Sequence, residues 1–129
     1  MKPPDNTEIF ETELATLWLD KDGILNQISK PVDRSLDRMK QSYNLIRQIS
    51  NNNKVCLIGD ISHSKPLDKE VRDYAAVEIP KLFKAIAVIS TSPLGTMISN
   101  IFLKLKGQPV PMKLFTHEKE AKKWLKQYL

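Results

Sequence analysis

The first residues whose types could do chemistry lie directly after an apolar run, Lys54–Gly59, and they are Asp60, Ser62, His63 and Ser64. A short, continuous apolar run predicts a strand that is buried on both faces of a sheet. Open α/β sheets place their ligands at the carboxyl ends of such strands. A carboxylate, an imidazole and two hydroxyl groups there could bind a polar or anionic ligand, although a loop around a solvated histidine would give the same sequence.

A second polar group follows another apolar run, Ala85–Ile89, and consists of Ser90, Thr91 and Ser92. Pro93 comes next, and proline is favoured at the first position of a helix. The free N–H groups and the dipole at a helix N-terminus attract anions. The segment predicts either an anion-binding site or plain capping of a helix by Ser92, and the residues alone leave both open.

Patterns that would indicate an enzyme or a metal site are missing from the sequence. Of the two histidines, His63 and His117, neither has cysteine or carboxylate neighbours at zinc-ligand spacing. The sequence contains no Gly-x-Ser-x-Gly elbow for a nucleophilic serine. Its four glycines are too scattered for a dinucleotide-binding fingerprint or a phosphate-binding loop. We therefore expect no catalytic residues, no metal and no cofactor.

The single cysteine, Cys56, lies within the apolar segment Val55–Ile58. Reactive thiols need an accessible, electropositive setting, so this pattern predicts a buried structural cysteine. One thiol forms no internal disulfide, which favours a reducing cytoplasm as the location of the protein. The longest uninterrupted apolar run, Ala85–Ile89, is far shorter than the roughly 18 residues that a membrane-spanning helix needs.

The elements that position these residues begin with two predicted strands. Glu8–Leu19 is rich in apolar and threonine residues and predicts one strand, bent near Glu13. The segment Asp20–Gly23 predicts a hairpin turn, because its glycine can adopt a positive φ. A second, antiparallel strand is expected from Ile24 until Lys30-Pro31.

Two amphipathic helices come next, each with apolar residues at spacings of three and four. The first is expected to begin with Asp33 as its N-cap and to end at the turn cluster Asn51–Asn53. The second follows the Lys54–Gly59 strand, with Asp68 as its N-cap, and Pro80 is expected to end its regular part.

The rest of the chain repeats the alternation of strand and helix. A third helix is predicted from Ser92-Pro93 to Gly107, followed by a strand at Val110–Phe115 and a fourth helix capped by Thr116. The element order is ββαβαβαβα. Helices between buried strands require crossover connections, so these strands run parallel. The sequence therefore predicts a single α/β domain with a mixed, mostly parallel sheet flanked by helices.

Several short motifs are similar to those of one fold family. Asp60-Ile61-Ser62, at the end of a predicted strand, looks like the Asp-Leu-Ser found there in STAS domains. The segment Pro111–Thr116, followed by Glu120-Ala121 and Trp124-Leu125, is similar to the close of an uncharacterised group labelled STAS/SEC14. Together with the element order, these motifs make the chain resemble the SpoIIAA-like, or STAS, fold.

The resemblance spans residues 8–129 and implies one SpoIIAA-like domain, with residues 1–7 as a flexible tail. Anti-sigma-factor antagonists of this fold carry a phosphorylatable serine or threonine beside an aspartate at the start of the second helix. The matching stretch here, Asp68–Val71, has no hydroxyl group. The usual phosphoserine switch is therefore not expected.

The net charge of +5 arises entirely from the last part of the chain. From Lys104 to the C-terminus there are seven lysines and only two acidic residues, both glutamates. The expected basic surface consists of Lys104, Lys106, Lys119, Lys122, Lys123 and Lys126. Such a surface could attract nucleic acid or an acidic partner, or it could be a solvated helix face. The segment matches no recognised nucleic-acid-binding module, so nucleic acid is not favoured.

Three functions remain open at this point. The leading hypothesis is a stand-alone, non-enzymatic binding or regulatory module that acts through contacts with a protein partner or as a homodimer. The alternative is a small apolar or lipid ligand held between the second and third helices and the sheet, and the last is weak electrostatic binding of nucleic acid. An exposed apolar patch combining Leu103 with Ile79, Phe83 or Leu129 would serve self-association or lipid contact.

Overall fold

The computed structural model describes residues 1–93 and 110–129 of the chain. Six strands lie in these two ranges: β1 (Phe10–Glu11), β2 (Ala15–Leu19), β3 (Leu25–Ser29), β4 (Val55–Asp60), β5 (Phe83–Ile89) and β6 (Met112–Phe115). The described helices are α1 (Leu36–Ile49), α2 (Lys69–Leu82) and α3 (Glu118–Leu125), and a 3₁₀ turn follows at Lys126–Tyr128. The predicted third helix and the lysines at 104 and 106 fall largely or wholly outside these residues.

The six strands form one sheet in the order β1-β2-β3-β4-β5-β6. The pairs β1–β2 and β2–β3 are antiparallel, whereas β3–β4, β4–β5 and β5–β6 are parallel. This confirms the predicted α/β fold with a mixed, mostly parallel sheet. The carboxyl ends of β3 to β6 therefore meet at one edge of the sheet, which we call the carboxyl edge.

The prediction of one bent strand over Glu8–Leu19 was wrong, because the chain reverses there and forms β1 and β2. The hydroxyl of Thr12 accepts hydrogen bonds from the backbone N–H groups of Leu14 and Ala15, at 3.1 and 3.0 Å. These bonds hold a tight turn, so that Phe10 pairs with Leu17 across the antiparallel ladder.

The hairpin between β2 and β3 is confirmed. Gly23 has a φ of +79°, which favours glycine over residues with a Cβ atom. The Asp20 carboxylate accepts hydrogen bonds from the backbone N–H groups of Asp22 and Ile24 and so holds the turn. The turn fixes the register in which Leu19 pairs with Leu25.

The helix ends depart from the prediction at three places. Ser35, not Asp33, is the N-cap of α1, because its side chain accepts from the N–H of Arg38. At α3 the N-cap position is His117 rather than Thr116, and no side-chain hydrogen bond caps it. Pro80 lies inside α2, which continues to Leu82; in the last turn a proline removes a single backbone bond, and the helix persists.

The Asp68 cap of α2 is confirmed, since its carboxylate accepts from the N–H of Val71. The end of α1 is also as predicted, because Asn51 and Asn52 adopt positive φ values of 53° and 61°. Asparagine tolerates this left-handed conformation better than most residues. The turn leads directly into β4.

Helices cover both faces of the sheet. The larger core lies between one face and helices α1 and α2, and it includes Leu25, Met39, Tyr43, Ile46, Leu57, Val71, Ile79, Phe83 and Val88. The second core packs α3 on the other face and includes Cys56, Ile58, Ala85, Ala87, Ile89, Ala121 and Leu125. Strands β4 and β5 are thus buried on both faces, as their continuous apolar runs predict.

The second core also confirms that Cys56 is buried. The predicted apolar surface patch was wrong for Ile79 and Phe83, which are buried in the larger core, while Leu129 is exposed. Leu103 lies outside the described residues. Residues 1–7 form neither helix nor strand, and Met1 packs against the second core. The flexibility of this segment stays a prediction.

No helix among the described residues is long and apolar enough to cross a membrane.

Candidate functional site

The two polar groups predicted from the sequence do meet at the carboxyl edge. The Asp60 carboxylate accepts a hydrogen bond of 2.9 Å from the N–H of Ser62. The Ser62 hydroxyl in turn accepts from the N–H and the hydroxyl of Thr91, at 3.0 and 3.1 Å. The Ser92 hydroxyl donates to the Ser62 carbonyl at 2.7 Å. These bonds join the loop after β4 to the loop after β5.

The remaining residues of these two groups lie in different settings. Ser90 is buried, and its hydroxyl donates to the carbonyl of Ser92 at 3.0 Å. His63 is exposed and makes no hydrogen bond to another described residue. Ser64 is buried and belongs to a separate feature, a cavity beneath the loop. The hydroxyl groups of the two loops form hydrogen bonds that hold the loops together. A role of these groups in binding a ligand stays a prediction.

A cavity of about 120 Å³ lies between helices α1 and α2 and the face of the sheet that they cover. We call it the α1–α2 cavity. Its walls are mostly apolar. They are formed by Met39, Ile46, Leu57, Ile61, Leu67, Ile79, Phe83, Ile86, Val88 and Met112. Apolar walls of this kind attract apolar molecules.

Polar side chains enter the α1–α2 cavity chiefly near the carboxyl edge. Gln27 and Ser29 line it because strand alternation places them on the same face of β3 as the core residue Leu25. Arg34 reaches it from the loop between β3 and α1, and Ser64 from the loop after β4. The cavity is therefore amphipathic, with its polar groups gathered where β3 and β4 end.

Arg34 is the exceptional residue of this set. Its Nη1 atom is buried and has no hydrogen-bond partner in the described part of the chain. Burial lowers the pKa of Arg34, yet a guanidinium remains charged in proteins. A donor of a charged group that is removed from water without a partner is costly, so the buried Nη1 atom of this half-buried arginine favours a compensating group.

Tyr43, on α1, also lines the cavity and lies near Arg34. Burial raises the pKa of Tyr43, and the positive charge of Arg34 opposes that rise. The Tyr43 ring stacks on Tyr74 of α2, with ring centroids 5.8 Å apart. This contact joins α1 to α2 and holds the phenol at the cavity wall.

Sequence reasoning missed Arg34 and the contribution of α1 to the cavity, although it left open an apolar ligand held between the second helix and the sheet. Arg34 sits between Asp33 and Ser35 with nothing in its spacing to mark it. The sequence of β3 did contain a weak signal. Gln27 and Ser29 alternate with Leu25 on one face of the strand, and this face is expected to be buried because Leu25 is apolar. Polar residues at alternate positions of a buried face indicate a cavity or a polar partner.

The lysine-rich end contains both paired and free-standing charges. Lys122 lies 3.2 Å from the Glu118 carboxylate and 3.6 Å from that of Asp20. Lys119, Lys123 and Lys126 are exposed. The basic surface is thus solvated in the part that is described, and its binding of any partner stays a prediction.

Within residues 1–93 and 110–129 no group of His, Cys, Asp or Glu could hold a metal ion.

The fold places the protein in the class of SpoIIAA-like α/β proteins, as the resemblance implied. A crystal structure of an uncharacterised DUF3478-family protein from Shewanella loihica PV-4 has this fold and matches with a TM-score of 0.62. The match covers 97% of this chain and 99% of that chain at 16% sequence identity, a level that shows the fold alone.

The family is given by the sequence itself. The model of a family described as a domain of unknown function, DUF7793, matches residues 17–129, and the chain belongs to that family. No curated protein matches the chain. The two matches therefore show the family and the fold of this chain.

Proposed function

We propose that this chain is a non-enzymatic binding module that takes up a small, mostly apolar molecule in the α1–α2 cavity. The observation that carries this proposal is a mostly apolar, partly open cavity of about 120 Å³ lined by residues of the larger core. Protein interiors are close-packed, and cavities larger than a water molecule are few. A cavity of roughly 150 Å³ lined by aliphatic side chains binds benzene, so this one suits a ligand of similar size.

Energetics supports occupation of the cavity. Cavities destabilise a folded protein by about 24 cal/mol per Å³. The α1–α2 cavity is partly open to solvent, so leaving it empty costs less than an enclosed cavity of about 120 Å³ would cost. A ligand that fills the space with van der Waals contacts recovers part of that free energy. The cavity lies between the sheet and helices α1 and α2, whereas nearly all of the predicted third helix is outside the described residues.

The lining residues support a role in binding rather than in catalysis. The described residues that line the cavity include arginine, tyrosine, serine and glutamine, but no aspartate, glutamate, histidine or cysteine. General acid–base and nucleophilic catalysis draw mainly on those missing types. A hydroxyl without an adjacent base is a weak nucleophile. We therefore interpret the polar groups as ligand-orienting groups.

A role in protein contacts has less support. The large apolar side chains that are exposed in the described residues are Ile9, Val77 and Leu129, on three separate segments. Scattered exposed apolar residues are normal on soluble domains. A protein partner, a homodimer and a cytoplasmic location stay predictions.

Calorimetric titration with benzyl alcohol tests the proposal. Val88→Phe places a ring in the α1–α2 cavity and is expected to abolish binding. The matched control is Val77→Phe on the exposed side of α2, where Val77 is 61% exposed, and it should bind as the wild type does. Absence of saturable binding to the wild type, or equal binding by Val88→Phe, would contradict the proposal.

A further inference from the structure

Building on the proposed function, we infer that the ligand of the α1–α2 cavity is a small apolar carboxylate whose carboxylate group binds Arg34. Arg34 lines the cavity, and the Nη1 atom of its guanidinium is buried without a partner among the described residues. A carboxylate is the natural complement, because a guanidinium forms two parallel hydrogen bonds to it.

Two carboxylates that could compete for Arg34, those of its sequence neighbour Asp33 and of Glu78, whose charge acts on Tyr43, are paired with other cations. Asp33 is exposed and its carboxylate lies 3.3 Å from Lys65. The Glu78 carboxylate lies 3.0 Å from Arg47 and 3.4 Å from Lys81. No acidic side chain is among the described residues that line the cavity. Since no carboxylate of the described residues pairs with Arg34, its buried Nη1 atom can bind a group from outside the chain.

Further hydrogen-bond donors surround the same end of the cavity. Ser29, Tyr43 and Gln27 line the cavity as well, and none of the three makes a side-chain hydrogen bond to another described residue. Each can donate to a carboxylate oxygen. The cavity contains one cationic side chain in its described lining, so a singly charged carboxylate matches it better than a doubly charged phosphate.

Size and shape narrow the ligand class. Arg34 follows the carboxyl end of β3, whereas Phe83 begins β5 and therefore lies toward the opposite edge. The polar head would bind near Arg34 and the apolar body would extend among Leu57, Ile79 and Phe83. At about 120 Å³, the cavity holds a body close to one benzene ring, or a chain of roughly four to six carbons.

Benzoate and its neutral analogue benzyl alcohol distinguish this inference from the proposed function. Calorimetric titration of the wild type is expected to show at least about tenfold tighter binding of benzoate, or ~1.4 kcal/mol. In Arg34→Met the affinity for benzoate should fall to that for benzyl alcohol, while benzyl alcohol binds as before. The matched control is Arg38→Met, whose guanidinium pairs with Glu13 at the surface; it should keep the preference.

Each outcome decides between the two statements. Equal affinities of the wild type for benzoate and benzyl alcohol would overturn the carboxylate inference and leave the proposed cavity binding intact. Binding of neither compound would overturn both. If Arg34→Met does not fold, Arg34→Gln replaces it, and unchanged benzoate affinity in that variant would equally refute the role of Arg34.

Discussion

Replacing Arg34 with methionine is expected to stabilise the ligand-free protein. The Nη1 atom of Arg34 is buried without a hydrogen bond to any described residue. A buried donor left unpaired costs about 1–3 kcal/mol, and more when it is charged. Methionine retains a flexible apolar stem that fills irregular space and removes the charge. We expect the free energy of unfolding to rise by about 1–3 kcal/mol.

Urea denaturation followed by tryptophan fluorescence measures this change. Trp18 is fully buried in the fold and reports loss of its packing. With a slope of about 1–3 kcal/mol per molar urea, the midpoint should move upward by roughly 1 M at an unchanged slope. The control Arg38→Met removes an exposed ion pair with Glu13, and such pairs contribute about 0–1 kcal/mol.

Benzoate provides an internal check on the same measurement. At about one hundred times its Kd, a ligand that binds only the folded state adds ~2.7 kcal/mol. The wild type should gain this stability and Arg34→Met should gain far less. A loss of more than about 1 kcal/mol in ligand-free Arg34→Met would refute the reasoning, because the guanidinium would then have a stabilising partner in the folded protein.

Three further predictions concern the scaffold. Gly23→Ala should lower the free energy of unfolding by about 1–2 kcal/mol in thermal melts, because Gly23 has a φ of +79°; an unchanged melting temperature would contradict the assigned turn. Thr12→Val should cost about 1–3 kcal/mol in urea, because Leu14 and Ala15 lose the acceptor of their N–H groups, whereas a neutral effect would argue against the reversal. Burial raises the pKa of the Cys56 thiol, so Ellman's reagent at pH 8 should label it only after unfolding, and rapid labelling of the native protein would show that the thiol is accessible.

Much of the fold could be predicted because its signals are local. The apolar runs that form β4 and β5 stand out as strands buried on both faces, and the Asp20–Gly23 segment specifies its hairpin through a glycine at positive φ. The Asp68 cap and the polar loops after β4 and β5 were found in the same way. Each of these features depends on residues within a few positions of one another.

Local signals failed where several residues offered the same chemistry. Asp33 and Ser35 are both good capping residues, and the choice depends on which one points its side chain at a free N–H group of the first turn. The reversal at Thr12 likewise depends on one hydroxyl that either faces solvent or bonds the backbone. Residue type alone determines neither the N-cap of α1 nor the chain reversal at Thr12.

The α1–α2 cavity could not be predicted because it arises from packing between distant segments. Its lining joins Gln27 on β3, Tyr43 on α1, Ile79 on α2 and Val88 on β5. Whether their side chains fill the space between them depends on the distance at which the helices pack on the sheet. The sequence did predict polar loops at the carboxyl edge, and the polar end of the cavity lies beneath one of them.

Methyl NMR spectra recorded during titration with benzoate and, separately, with benzyl alcohol test the proposed cavity binding most directly. The account predicts saturable shifts of the methyl resonances of Met39, Ile46 and Ile79, which line the α1–α2 cavity, and none for the exposed Ile9 and Val77. Shifts confined to the exposed methyl groups, or no saturable shift with either compound, would contradict it.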